Sequence, residues 1–141
     1  ALGGELTNTY GIAVEELQAA IPSGINKINV DTDIRLAVTR NMKELFVKYP
    51  ELRTSASIGE IYELLEAKKS QFDPRVFLPP IMDTVMKGTI PDEDVAAIVN
   101  CVERGVKEVV GTLIVQFGSF GKAPLVEQVT LEEMIERYKN N

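Results

Sequence analysis

Polar and charged side chains crowd one short stretch, Lys27-Ile28-Asn29-Val30-Asp31-Thr32-Asp33-Ile34-Arg35. Asn29 offers both a donor and an acceptor. Thr32 adds a hydroxyl, and Arg35 carries a fork of donors whose geometry matches phosphate. Side chains alternate across a strand, so Ile28 and Val30 share one face while Lys27, Asn29 and Asp31 share the other. The polar residues gather at the C-terminal end of that strand, immediately before a helix that Thr32 or Asp33 can cap. In parallel α/β proteins this end of a strand is where ligands bind. The following helix N-terminus presents free N–H groups and a partial positive charge, which suits an anion such as phosphate. Plain helix capping by Asp31-Thr32-Asp33 is the simpler account. The two agree, because a capped N-terminus is itself the anion site. For Arg35 the simpler account is a solvated surface arginine, and for Lys27 an internal ion pair with Asp31 or Asp33.

The elements that must hold this stretch follow from spacing. Residues 1–12 are rich in Gly, Thr and Asn and read as a loop. Val14, Leu17, Ala20 and Ile21 mark one face of a short helix, stopped by Pro22-Ser23-Gly24. A strand follows from about Ile25. From Asp33 to about Tyr49, Leu36, Ala37, Leu45 and Phe46 recur at helical spacing until Pro50. Ser57-x-x-Glu60 reads as a capping box, Asp73-Pro74 as a helix start, and Pro91 with Asp92, Glu93 and Asp94 as the opening of a long helix ending before Gly118. Thr130-x-x-Glu133 is a second capping box, before a terminal helix with Arg137 and Lys139 near its negative end.

Composition narrows the function classes. A net charge of -6 argues against a nucleic-acid partner or an acidic membrane surface. No apolar run approaches the roughly 20 residues of a membrane helix. The single cysteine, Cys101, excludes an internal disulfide, and the composition suits a reducing cytoplasm. Among Ile98, Val99 and Val102 it reads as a small core hydrophobe. There is no histidine, so metal chemistry carried by these residues is not expected. One expectation stands out as incomplete: a single buried-type strand has no ladder partner. Either residues 113–115 or 126–129 supply a second strand, or the partners lie outside the sequence.

The run from Lys27 to Ala37 closely resembles the last barrel strand of class II fructose-1,6-bisphosphate aldolases, whose signature there is N-(V/I)-D-T-D. Gly3-Gly4-Glu5 and the stretch from Tyr10 to Leu17 resemble the loop and helix that precede it. Phe72-Asp73-Pro74-Arg75-Val76-Phe77-Leu78 and Phe117-Gly118-Ser119-Phe120-Gly121-Lys122-Ala123 resemble two later landmarks, in the same order. The resemblance implies an α/β fold, with this chain as the C-terminal part of a (β/α)8 TIM barrel: the last strand plus a mostly helical region. Within a segment spanning 1–141, residues 13–49 hold the helix, last strand and following helix. Residues 50–70 read as an insertion, 71–141 as C-terminal helices, and a further expansion falls between Leu78 and Phe117.

What the resemblance implies for function is reversible cleavage of fructose 1,6-bisphosphate to dihydroxyacetone phosphate and glyceraldehyde 3-phosphate, by a zinc enzyme whose metal ligands lie outside this segment. Asn29 corresponds to a residue reaching the dihydroxyacetone phosphate moiety near its reacting carbons, the one catalytic assignment. Val30, Asp31 and Thr32 correspond to the turn that holds a substrate phosphate. An aspartate there repels phosphate, so Asp31 must accept bonds from substrate hydroxyls or orient the turn. Arg35 corresponds to an arginine that in some relatives grips the far phosphate in a neighbouring subunit's site. The implied partners are the sugar bisphosphate, the remainder of the barrel, and further copies in a homodimer or homotetramer. This segment alone is expected to be inactive. Tagatose-bisphosphate aldolase is the nearest alternative, and a non-catalytic helical interaction module is the alternative from another class.

Overall fold

A computed structural model describes residues 11–139. Six α-helices follow one another: α1 (Val14–Ala20), α2 (Thr32–Lys48), α3 (Gly59–Ala67), α4 (Pro79–Met86), α5 (Glu93–Gln116) and α6 (Leu131–Lys139). Short 3-10 turns at Ile21–Ser23, Pro50–Thr54, Pro74–Val76 and Ala123–Leu125 connect them, each with a proline in its opening positions. Proline fits there because the first N–H groups of a helix lack internal partners anyway.

The frame is the pair α2 and α5, which run antiparallel. Ile34 shares a cleft with Val110 and Leu113, Val38 meets Gly105, and Glu44 lies near Cys101. Their crossing depends on Gly105. A Cβ there would sit 2.7 Å from the Val38 backbone and 2.9 Å from the Ala37 carbonyl carbon. With hydrogen in its place the two backbones come into direct contact. Val38, Met42 and Phe46 project from α2 at four-residue spacing onto Val95, Ile98 and Cys101 of α5. Ile58, Ile61 and Leu65 from the α3 region and Phe77 and Ile81 around α4 complete the core. Most of these side chains are essentially removed from water. Each stabilises the fold by about 1.5–3 kcal/mol relative to exposure. The segment 50–70 is thus built into the core through α3.

Two buried polar residues of α2 are satisfied. The Thr39 hydroxyl donates to the Phe72 carbonyl at 2.7 Å, and the Asn41 amide donates to the Ala37 carbonyl at 2.9 Å and to Glu108 at 3.2 Å. Arg40 also pairs with Glu108. At the far end, the Gln18 side chain of α1 donates to the Gln116 carbonyl at 2.8 Å.

Several sequence expectations are met. The long helix opens at Glu93, where Pro91–Asp94 placed its start; Asp92, read there as part of the acidic opening, is its cap, the carboxylate accepting from the Val95 N–H at 2.8 Å. Thr130 and Glu133 form their reciprocal box: the Glu133 N–H donates to the Thr130 hydroxyl at 3.2 Å, and the Thr130 N–H to the Glu133 carboxylate at 2.8 Å. Asp73 caps the turn Pro74–Val76, while the following helix begins only at Pro79, where the proline pair is tolerated.

Others are corrected. Residues 25–31 form neither helix nor strand, and the described residues contain no strand at all. Residues 113–115 lie inside α5, and residues 126–129 are irregular. A lone segment has no ladder to join, so its backbone stays open, with Asn29 exposed and Ile28 and Val30 only half-buried. The barrel itself is therefore not seen here. Ser57 does not cap α3 either. Its hydroxyl donates to Asp92, and the Ser55 hydroxyl donates to Asp94 at 2.5 Å, so both serines fasten the start of α5 instead. The Gly3-Gly4-Glu5 landmark and most of the expected loop 1–12 lie outside the described residues. No described helix is long and apolar enough to cross a membrane.

Candidate functional site

The stretch between α1 and α2 borders an open groove of about 520 Å³. Gly24, at a φ of 99°, ends the turn after α1 in a left-handed conformation that side chains with a Cβ resist. The chain then passes along the groove before entering α2. Lys27, Asn29, Val30, Asp31 and Thr32 all line it, facing Glu16, Leu17 and Ala20. Asn29, Val30, Asp31 and Thr32, singled out by their sequence, are therefore brought to one surface.

Asp31 occupies the N-cap position of α2, yet its side chain makes no capping bond. Both carboxylate oxygens instead receive Arg35, at 2.7 Å from Nε and 2.5 Å from Nη2. This fork-to-fork pairing has two effects. It neutralises the negative charge at the mouth of the helix, and it draws the Asp31 oxygens away from the first-turn N–H groups. The sequence suggested Lys27 as the partner of Asp31 or Asp33. In the structure Asp31 pairs with Arg35, which stands one turn along the same helix and reaches it with a planar, preorganised fork.

Arg35 does not stop at Asp31. Its remaining Nη1 donates to Asp73 Oδ2 at 2.9 Å. Asp73 in turn accepts three groups from Arg75: the backbone N–H at 3.0 Å, Nε at 3.0 Å and Nη2 at 2.6 Å. The hydrogen-bonded Arg75 side chain is the main cause that holds the Asp73 carboxyl at about 2; burial, the next in size, opposes it, and the Arg75 backbone N–H and the charge of Arg35 add to the lowering. Arg75 is raised by the same pairing. Two carboxylates and two guanidinium groups thus form a balanced chain, Asp31–Arg35–Asp73–Arg75. Sequence reasoning placed Arg35 near a phosphate and took Asp73 as a helix cap. Their contact, across thirty-eight positions, was missed. The available signal was the Phe72-Asp73-Pro74-Arg75 landmark, a charged pair flanking a proline.

The residues do not fit a metal. Among those described, no group of three or more His, Cys, Asp or Glu side chains converges on one point. Cys101 is buried, and burial pushes its thiol above the usual range.

Comparison with known proteins adds an independent line. The family model described as "Fructose-bisphosphate aldolase class-II" matches residues 8–122, which include the groove and the Asp73–Arg75 turn but not α6. A fructose-bisphosphate aldolase of Nostoc commune is 33% identical over 136 residues, and one of Xanthobacter flavus 32% identical over 136. Each alignment covers 96% of this chain and 27% of the relative. A protein of Rhodobacter capsulatus named fructose-bisphosphate aldolase 2 is 26% identical, and the chain covers 84% of it. The chain thus spans about a quarter of the length of the first two relatives. No solved structure matches it.

Proposed function

Because the chain belongs to the class-II fructose-bisphosphate aldolase family, we propose that it supplies substrate-positioning residues to an enzyme that reversibly cleaves fructose 1,6-bisphosphate to dihydroxyacetone phosphate and glyceraldehyde 3-phosphate. One observation carries the assignment of this segment: the groove at the start of α2, within the matched span, gathers Asn29, Asp31 and Thr32 beside the helix N-terminus. A phosphate seated there receives the N–H groups of the first turn, the Thr32 hydroxyl and the positive end of the helix dipole. Val30 contributes backbone to the same wall. The charge of Asp31, which on its own would repel phosphate, is cancelled by Arg35, and its exposed edge accepts from substrate hydroxyls. Asn29 contacts the dihydroxyacetone portion. Arg35 orients the Asp31 carboxylate and, in the oligomer, faces the far phosphate in a neighbouring copy's site.

Zinc is implied by the family resemblance, but the described residues offer it no ligand set. The remaining strands of the barrel would pair with residues 25–30 and cover the apolar side chains that α5 and α6 leave exposed. Further copies of the chain complete the oligomer.

The test is kinetic. Asn29→Ala in the complete enzyme removes hydrogen bonds close to the reacting carbons, so kcat and kcat/KM should both fall, kcat/KM by about tenfold or more. Unchanged kcat/KM would overturn the assignment of this groove.

A further inference from the structure

We propose that Asp73 is a positioning residue for the substrate-binding turn, holding Asp31 and Thr32 in place through Arg35. The inference rests on the reading of the groove as the substrate site. The stretch 25–31 has no ladder among the described residues, and the Asp31 side chain is 67% exposed. Its tether is therefore the guanidinium of Arg35. A guanidinium is rigid and planar, so fixing one of its edges fixes the direction of the other. Asp73 holds the Nη1 edge, at 2.9 Å, while Nε and Nη2 hold Asp31.

Asp73 can act as an anchor because it is itself fixed from several sides. Its carboxylate accepts the Arg75 backbone N–H and side chain. The preceding carbonyl, of Phe72, accepts the buried hydroxyl of Thr39, one turn beyond Arg35 on α2. Four residues on, Phe77 is fully buried in the core. A continuous path thus runs from the core through Asp73 and Arg35 to the turn. Asp73 does not line the groove, and of the positions assigned to substrate it touches Arg35, so it acts through that residue.

The experiment is a double-mutant cycle in the complete enzyme, using Asp73→Asn, Arg35→Ala and Arg75→Ala. Asparagine keeps the side-chain shape and an acceptor for the Arg75 N–H, so the Pro74–Val76 turn is retained. Asp73→Asn should lower kcat/KM by about tenfold, the scale of one charge-assisted contact. It should have no further effect when Arg35 is already alanine, yet keep most of its effect in Arg75→Ala, where the backbone N–H at position 75 still holds Asp73. Amide hydrogen exchange at residues 31–35 supplies a readout independent of activity, and should speed up equally in Asp73→Asn, Arg35→Ala and their combination. No loss on Asp73→Asn, or a loss undiminished in the Arg35→Ala background, overturns the proposal. If Asn29→Ala and Arg35→Ala both leave kcat/KM untouched, the substrate reading itself falls and this proposal with it. If they lower it while Asp73→Asn does not, only the role of Asp73 is lost.

Discussion

Helix α5 passes through two different environments. Over its first half, Val95, Ile98 and Cys101 are 0–2% exposed, sealed against α2, α3 and α4. Over its second half the helical spacing of apolar residues continues through Val106, Val110 and Ile114, yet these are 37–40% exposed, and Val115 is 64% exposed. The region beyond repeats the contrast: Phe120 and Leu125 are mostly exposed, and α6 leaves Leu131, Met134, Ile135 and Tyr138 exposed as well. Both halves carry an apolar stripe of the same period, and they differ in whether the chain supplies something to cover it. Hydrophobic patterning records where a partner must be, while burial records where it is. The groove sits on the uncovered side of this divide, and the ion-pair chain that runs from Asp31 through Arg35 to Asp73 links it to the covered side.

The largest effect expected from this contrast comes from paired aromatic truncations. Phe46→Ala opens a cavity in the sealed half and should cost about 3–5 kcal/mol, whereas Phe120→Ala in the 141-residue chain should stay within about 0.5 kcal/mol. Urea unfolding of the two variants measures both. Equal costs would mean that the sealed half is not a distinct unit.

A sharper version uses two glycines of the same helix. Gly105→Ala drives a Cβ into the Val38 backbone, an overpacking expected to cost about 1–3 kcal/mol. Gly111 faces open space, so Gly111→Ala should stabilise the helix by about 0.5–1 kcal/mol. Thermal melts of opposite sign would establish the divide within a single helix. In the complete protein the gain at Gly111 should shrink or reverse, because the position then faces whatever covers it.

The smallest effect concerns the link between the two regions. The Asp73 carboxyl is lowered to about 2, below the usual value of about 3.9. A depressed carboxyl contributes stability that is fully present above its unfolded value and is lost as pH falls through the folded one. The contribution should therefore be complete above about pH 4 and fade towards pH 2. Melting temperature followed over that window should fall less steeply for Asp73→Asn than for the unmodified chain. Parallel curves would show that the pairing contributes nothing to stability.

Much of the helical framework was legible because its signals are local. The acidic opening at Asp92–Asp94, the Thr130 cap, the prolines that open turns, and the apolar spacing of α1 and α2 act within one or two turns. The misread features depend on distant groups. Ile28 and Val30 carry the pattern of a strand, but a strand exists only with a neighbour to share its hydrogen bonds. Ser57 has the right spacing to Glu60, yet Asp92, thirty-five positions on, offers its hydroxyl a charged acceptor. At the site, the family motif identified Asn29, Asp31, Thr32 and Arg35, and the structure brings them to one end of α2. The tie from Arg35 to Asp73 joins two landmarks whose sequence separation holds no periodicity, so no local rule could connect them.

The burial of Cys101 gives the molecule an internal clock. It is the single thiol among these 141 residues, it is 1% exposed, and burial raises its pKa, which disfavours the reactive thiolate. A thiol reagent can reach it only when α5 lifts from α2, so the rate of labelling counts openings of the sealed half. Fraying of α6 or movement of the groove leaves that count unchanged. Cys101 therefore times the breathing of the core alone.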